Sequence, residues 1–360
     1  MTVTAAELDV DRLRRWLGVS LPRYDVTATT PIGVRRLPGG YSNLTFGVTI
    51  GDGPAALHVV LRRAPVGVRA DRGAHDMRRE YRVLSVVHGS DVPVPEPIAM
   101  CEDETVLGGM FFLMSKVAGV AVRRLDDAPL LHDAAVMRGM SEACIDALAT
   151  LHAMPITHTA LYDATRAEGY GARQVANWGA RWSAVRPADV PDDDAAFVFA
   201  WLAANLGDAL PPALLHNDWK FDNLLLDPSD PSTINGVLDW EMATVGDPRF
   251  DLATALGYWV QANDPPALQA LALGVTNAPG CLTRREVVER YAARYGVRLE
   301  NPVYWWAFGL AKVAVIVLQL YARYARGETR DERFAGLGGM AALLMRTAHA
   351  AIEQGTLEPT

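Results

Sequence analysis

Cysteine is scarce in this chain. Three residues among 360, Cys101, Cys144 and Cys281, lie far apart, are odd in number and form no C-x-x-C pair. Neither a disulfide framework nor a zinc site is expected, and a reducing, cytoplasmic compartment fits. Positive charge is also in deficit. With 34 Lys and Arg against 42 Asp and Glu, the formal net charge is −8, which argues against a nucleic-acid partner, since that needs a basic face. No long internal repeat, no low-complexity tract and no G-x-G-x-x-G fingerprint occur, and the N-terminal residues carry acidic groups rather than the apolar core of a secretory leader. One apolar run, 303–320, has the length of a membrane span. Lys312 interrupts it and the helical pattern continues beyond it, so a buried helix is expected and no membrane partner. His132, His152 and His158 have no metal-ligand spacing, and buried or capping roles are expected for them.

What is present is a chain long enough for two lobes and a substantial core, half of it hydrophobic. The most informative stretch is 216–251, HNDWKFDNLLLDPSDPSTINGVLDWEMATVGDPRFD. Two short apolar runs, 224–226 and 236–238, are bounded by turn residues and read as a hairpin or a pair of short buried strands. Asp218 and Asn223 stand just before the first run, and Asp239 directly follows the second. Two carboxylates and a carboxamide suit a hard cation such as Mg2+, which takes oxygen ligands. The spacing also leaves one carboxylate to orient a hydroxyl, which is what phosphoryl transfer to an alcohol requires. An isolated Asp is more often a turn residue, so the rest of the chain has to support the reading.

Upstream, strands are expected at 34–37 and 44–50, joined by Pro38-Gly39-Gly40-Tyr41-Ser42-Asn43. A glycine pair there is either a hairpin turn or a loop whose backbone can approach phosphate oxygens, with Ser42 and Asn43 as further donors. A third strand, 58–63, places Val60 and Arg62 on one face. The helix expected at 72–88 has an apolar stripe of Met77, Tyr81, Leu84, Val87 and His88, and Glu80 falls on that stripe. A carboxylate on a buried face needs a partner, and Arg62 is the natural one. Further strands are expected at 98–101 and 110–114. Helices follow from 133, at 172–185 and at 195–206, with Asp192, Asp193 and Asp194 capping the last.

Several motifs agree in order. GGYSN, HNDWKFDN, LDWE and GDPRFDLA resemble the aminoglycoside phosphotransferase and choline kinase branch of the protein-kinase-like superfamily. VVLRRAP, AHDMRREYRVL and the RQ-x3-W helix are most similar to the kinase-like domains fused to some acyl-CoA dehydrogenases. The resemblance implies an α+β bilobal protein-kinase-like fold. Its parts would be a small antiparallel nucleotide-covering lobe over 1–114, a hinge at 115–119 and a mainly helical lobe over 120–360.

It implies ATP and Mg2+ as cofactors and a small hydroxyl-bearing acceptor, either aminoglycoside-like or a hydroxyacyl metabolite. Gly39, Gly40, Ser42 and Asn43 would meet phosphate, and Val60 and Met114 would line the adenine. The Ser115 carbonyl and Val117 N–H would face the adenine edge. Arg62, held by Glu80, would take the place of the usual lysine on the α- and β-phosphates. Asp218 would be the base, Lys220 would contact the γ-phosphate, and Asn223 and Asp239 would hold the metal. Asp251 is expected to cap the helix from 252, and in this superfamily the matching Asp also braces the catalytic loop. The alternative is a nucleotide-binding regulator without transfer activity, which the arginine at 62 and the glycine-poor loop leave open. A flavin-dependent dehydrogenase is disfavoured by the missing fingerprint.

Overall fold

A computed structural model describes residues 8–37, 43–65, 76–163, 167–272 and 274–358. The chain divides into two compact units, Met1–Ala118 with Gly236–Ala243, and Gly119–Asn235 with Thr244–Thr360. The sequence reading places Gly236–Ala243 in the second lobe, whereas the structure groups it with the first unit. The reason is local: Val237 N–H donates to the Pro93 carbonyl at 2.7 Å, and Arg62 binds the carboxylates of Asp239 and Glu241.

The first unit is built on five strands, β1 Ile32–Arg36, β2 Leu44–Ile50, β3 Leu57–Arg63, β4 Pro97–Cys101 and β5 Phe111–Ser115. They form one antiparallel sheet in the order β1-β2-β3-β5-β4. Registers Phe46↔Leu61 and Leu61↔Leu113 align apolar side chains on one face, because strand side chains alternate with a period of two. Helix α1, Val10–Ser20, covers that face with Leu13 and Leu17, and Trp16 packs edge-on against Phe111. Gly18 does not end α1. A Cβ there would stand 2.7 Å from the Val26 carbonyl oxygen, so the glycine permits a close chain approach inside the helix. The opposite sheet face carries Val60, Arg62, Phe112 and Met114, paired Val60↔Met114 and Arg62↔Phe112. Helix α2, Met77–Val87, covers it with Met77, Glu80, Val83, Leu84 and Val87 buried, and Asp76 caps its first turn.

The second unit is mainly helical, with α3 Ala134–Ala153, α4 Tyr170–Val185 and α5 Asp193–Ala204. Asp192 stands at the N-cap of α5 without a capping side-chain bond, because its carboxylate accepts instead from Trp182 Nε1 at 2.8 Å. Short strands follow: β6 Ala213–Leu215, β7 Leu224–Leu226 and β9 Thr244–Gly246, with β6 paired to β9, while β7 pairs with β8 Ile234–Val237, whose last two residues already belong to the first unit. Helices α6 Arg249–Tyr258, α7 Arg284–Tyr295, α8 Pro302–Ala325 and α9 Leu337–Gln354 complete the unit.

Helix α8 is the apolar run noted in the sequence. It is long and apolar enough to cross a membrane by composition, but 83% of its most apolar window is buried, packed chiefly against α6 and α9. Its crossing with α6 is a backbone contact. A Cβ on Gly257 would stand 2.5 Å from the Gly309 carbonyl oxygen, and one on Gly309 would collide with the Ala253 carbonyl oxygen. Both helices are therefore held closer than any side chain at 257 or 309 would allow.

Candidate active site

In the first unit, the centre of the arrangement is Arg62. It is buried on the α2 side of β3, and its Nη1 donates to Glu80 Oε1 at 2.5 Å. Nη1 and Nη2 both donate to Asp239 Oδ1 at 3.1 Å, and Nη2 reaches Glu241 Oε2 at 3.3 Å. Asn43 Nδ2 donates to the same Glu241 oxygen at 3.0 Å. Burial disfavours the guanidinium's charge, but Glu80, Asp239 and Glu241 outweigh that and hold its pKa above the ordinary value. Glu80 is fully buried and pushed up to about 7. Burial is the main cause, Arg62 opposes it, and the charges of Asp239 and Glu241 add to it. Three carboxylates thus surround Arg62, and Arg79 adds a second positive charge beside Glu80.

Asp239 sits in left-handed backbone, φ 66° and ψ 61°, two residues after the end of β8. It uses only Oδ1 for Arg62, and its side chain is 27% exposed. Trp240 beside it is buried and donates from Nε1 to the Val237 carbonyl at 3.0 Å. Val60 and Met114 are buried neighbours across β3 and β5. Ser115 ends β5, with its N–H on the Glu96 carbonyl and its Oγ accepting from Glu96 N–H. Val117 is half-buried, and its methyl carbons come to 3.2 Å of where a Gly236 Cβ would be. Gly39, Gly40 and Ser42 lie outside the described residues.

In the second unit, His216, Asn217 and Asp218 follow β6. Asp251, in the first turn of α6, is buried and does not cap that helix. Its Oδ2 accepts from His216 N–H at 2.6 Å and its Oδ1 from Asn217 N–H at 2.8 Å. The physical reason is supply: two orphan N–H groups in a buried loop need acceptors more than the helix start does. His152 Nε2 contacts the same carboxylate at 3.2 Å, and its Nδ1 meets Tyr291 Oη at 2.7 Å. Burial would raise the Asp251 pKa, but His152, His216 and the backbone donor hold it below the ordinary value.

Asn217 has φ 65°, and its carbonyl accepts from Lys312 Nζ at 2.8 Å. Asp218 Oδ2 accepts from Lys220 Nζ at 2.8 Å and Asn223 Nδ2 at 2.9 Å, and Oδ1 accepts from Tyr258 Oη at 3.1 Å. Burial and the Asp218 charge raise the Tyr258 pKa well above its usual value, so the phenol stays a donor. Asn223 also anchors to the Asp218 carbonyl at 2.8 Å. Its Nδ2 is spent on Asp218, which leaves Oδ1 without a protein donor among the described residues.

Asn223 Oδ1 and Asp239 Oδ2 are oxygen donors of the kind Mg2+ accepts, and each is left over by its own hydrogen bonds. Among the described residues no group of three or more His, Cys, Asp and Glu forms a metal cluster.

The model of the phosphotransferase enzyme family matches residues 33–288, more than half of the sequence. The chain belongs to that family. Acyl-CoA dehydrogenase family member 11 of Gallus gallus is 32% identical over 331 residues, which are 90% of this chain and 41% of that protein. The chain therefore spans less than half the length of this relative. A Ralstonia eutropha protein provisionally assigned as an aminoglycoside phosphotransferase shares the fold with TM-score 0.78, at 23% identity over 96% of this chain and 99% of that one. An aminoglycoside phosphotransferase solved with GDP and kanamycin, APH(2")-IIIa, superimposes with TM-score 0.60, at 16% identity over 92% and 99% of the two chains. The family likeness read from the motifs and the protein-kinase-like fold are borne out.

Of the residues singled out in the sequence, the structure brings Asn43, Val60, Arg62, Glu80, Met114, Ser115, Val117 and Asp239 into the first unit. It places Asp218, Lys220 and Asn223 in the second. The sequence reading leaves one contributor out, Tyr258, which holds Asp218. Glu241, for which the sequence leaves a metal contact, a helix cap and a salt bridge open, takes the salt bridge, to Arg62, and accepts from Asn43. A signal for Tyr258 exists: Asp251, Thr254 and Tyr258 follow the i, i+3, i+7 spacing of one helix face in an otherwise apolar helix.

Proposed function

We propose that the chain is a small-molecule O-phosphotransferase that moves the γ-phosphate of ATP to a hydroxyl group. The observation that carries this reading is the Asp218 carboxylate. It is half-buried, held by three side-chain donors, and set on a loop pinned by Asp251, within a chain of the phosphotransferase family.

Asp218 would accept the hydrogen bond of the acceptor hydroxyl and take its proton as the new P–O bond forms and the bond to the leaving ADP oxygen breaks. Lys220, paired with Asp218, would contact a γ-phosphoryl oxygen. Arg62 would bind α- and β-phosphate oxygens with the fork of donors that Glu80 holds in place. Asn223 Oδ1 and Asp239 Oδ2 are the oxygens assigned to Mg2+, whose charge offsets that of the phosphates. Val60 and Met114 would pack on adenine, with the Val117 N–H and Ser115 carbonyl at its edge. The acceptor would be an aminoglycoside-like compound or a hydroxyacyl metabolite.

A second reading, a nucleotide-binding regulator without transfer, is favoured by one observation: Arg62 is already clasped by three carboxylates. Incubation with Mg–ATP and a panel of aminoglycosides, macrolides, hydroxy acids and hydroxyacyl-CoAs separates the two. Transfer to at least one compound, reduced at least a hundredfold in Asp218→Ala, is the expected result. Nucleotide binding with no transfer to any of them favours the regulator.

A further inference from the structure

Lys312 is a buried ammonium with no carboxylate in hydrogen-bonding contact among the described residues, and the roles assigned above do not use it. It lies in the middle of the apolar helix α8, 4% exposed. Its Nζ makes two hydrogen bonds, to the Asn217 carbonyl and to Thr254 Oγ1, both at 2.8 Å, and stands 5.7 Å from the Trp178 ring centroid. A buried charge is costly, and a leucine or methionine would pack the same site without that cost. Burial pushes the Lys312 pKa down to about 8, against the pull of Asp251 and Asp218. The helix keeps a side chain that its packing does not need.

The geometry supplies the reason. Gly309 lies one turn before Lys312 on the same helix face, and its missing Cβ lets α8 close on α6. That approach brings Nζ to the loop ahead of Asp218. The loop backbone is then held from both sides: Asp251 takes the N–H groups of His216 and Asn217, and Lys312 takes the carbonyl of Asn217. Asn217 needs this support, because its φ of 65° is a conformation non-glycine residues adopt at a cost.

We propose that Lys312 is a positioning residue, fixing the Asn217 carbonyl and so the backbone angle from which Asp218 projects. The proposal rests on the reading of Asp218 as the base. The charged groups facing Nζ are Asp251 on α6, Asp218 and Lys220 on the loop, and Arg181 on α4.

Lys312→Met, close in shape and uncharged, tests this in the full chain without ligand. Hydrogen exchange of the amides at 216–218 should quicken on the order of tenfold, the effect of losing one charge-assisted bond. Exchange in α8 and α9 should stay as in the wild type, and the thermal midpoint at pH 7 should be equal or higher. With Mg–ATP and the acceptor found in the panel, ADP formation should fall by a similar factor at unchanged KM for ATP. Unchanged exchange at 216–218 overturns the proposal. So does an equal loosening of α8 and α9, which would make Lys312 a packing residue. If Lys312→Met does not fold, Lys312→Gln, too short to reach Asn217, carries the test with the same outcomes. Asp218→Asn, assayed alongside, separates the two claims. Transfer at the wild-type rate in Asp218→Asn removes the base assignment, whereas the exchange result at 216–218 is decided by Lys312 alone.

Discussion

At the scale of single residues, the first unit is governed by Arg62, which alone among the described residues hydrogen-bonds the buried Glu80 and also binds Asp239 and Glu241. Removing the arginine leaves Glu80 buried without its hydrogen-bonded partner, which costs roughly 3–5 kcal/mol. Arg62→Met should therefore lower stability strongly at pH 8. The pH dependence has a definite sign. Glu80 is raised to about 7 in the fold from 4.5, so its protonated form favours the native state at low pH, and that contribution is lost as pH rises through about 7. Without Arg62 the carboxyl holds its proton to still higher pH. The deficit of Arg62→Met should thus shrink as pH falls from 8 toward 5.5. Urea melts of both proteins at the two pH values check this, and an equal gap at both would contradict it. Glu80 was legible in the sequence because a charge on an apolar helical stripe demands a partner. For Glu241 a salt bridge was one of three roles the sequence left open, since a three-residue turn has no periodicity to show which way a side chain points.

At the scale of elements, α6 carries two jobs on two faces. Asp251, Thr254 and Tyr258 serve the loop and its Lys312, while Ala253 and Gly257 meet α8 at Gly309. Strand alternation and helix stripes made most elements readable, including the sheet face of Val60 and Arg62 and the burial of the long apolar helix. The glycine crossing was not readable, because a Gly within a helix names no partner until the partner is known. Gly309→Ala should separate α6 from α8. Overpacking of this kind costs about 1–3 kcal/mol, and here the colliding atom is backbone, which cannot rotate away. The same displacement would draw Lys312 and Tyr258 from the loop. The expected outcome is a lower thermal midpoint together with a loss of phosphate transfer larger than the stability change alone explains. Gly339→Ala, in α9, is the control, since a Cβ there meets nothing within 4 Å.

At the scale of the whole molecule, the chain matches the phosphotransferase family over residues 33–288 while covering only 41% of its Gallus gallus relative. The reaction proposed here draws only on residues of this chain, so it should proceed without the remainder of such longer proteins. The metal gives the sharpest test. The oxygens assigned to it are those left over by Asp218 and Arg62, and the carboxylates of Asp239 and Glu241 repel the phosphates of a bare nucleotide and attract a divalent cation. ATP alone should therefore bind weakly. Mg–ATP at a hundred times its dissociation constant should stabilise the folded chain by about 2.7 kcal/mol, a rise in thermal midpoint on the order of 5 °C for a protein of this size. EDTA in excess should abolish the rise, and Asp239→Asn should reduce it, because the substitution removes a charged oxygen from the cation while leaving an acceptor for Arg62. An equal rise with ATP in EDTA would show that the nucleotide is held without the ion, and the assignment of Asn223 and Asp239 would fall.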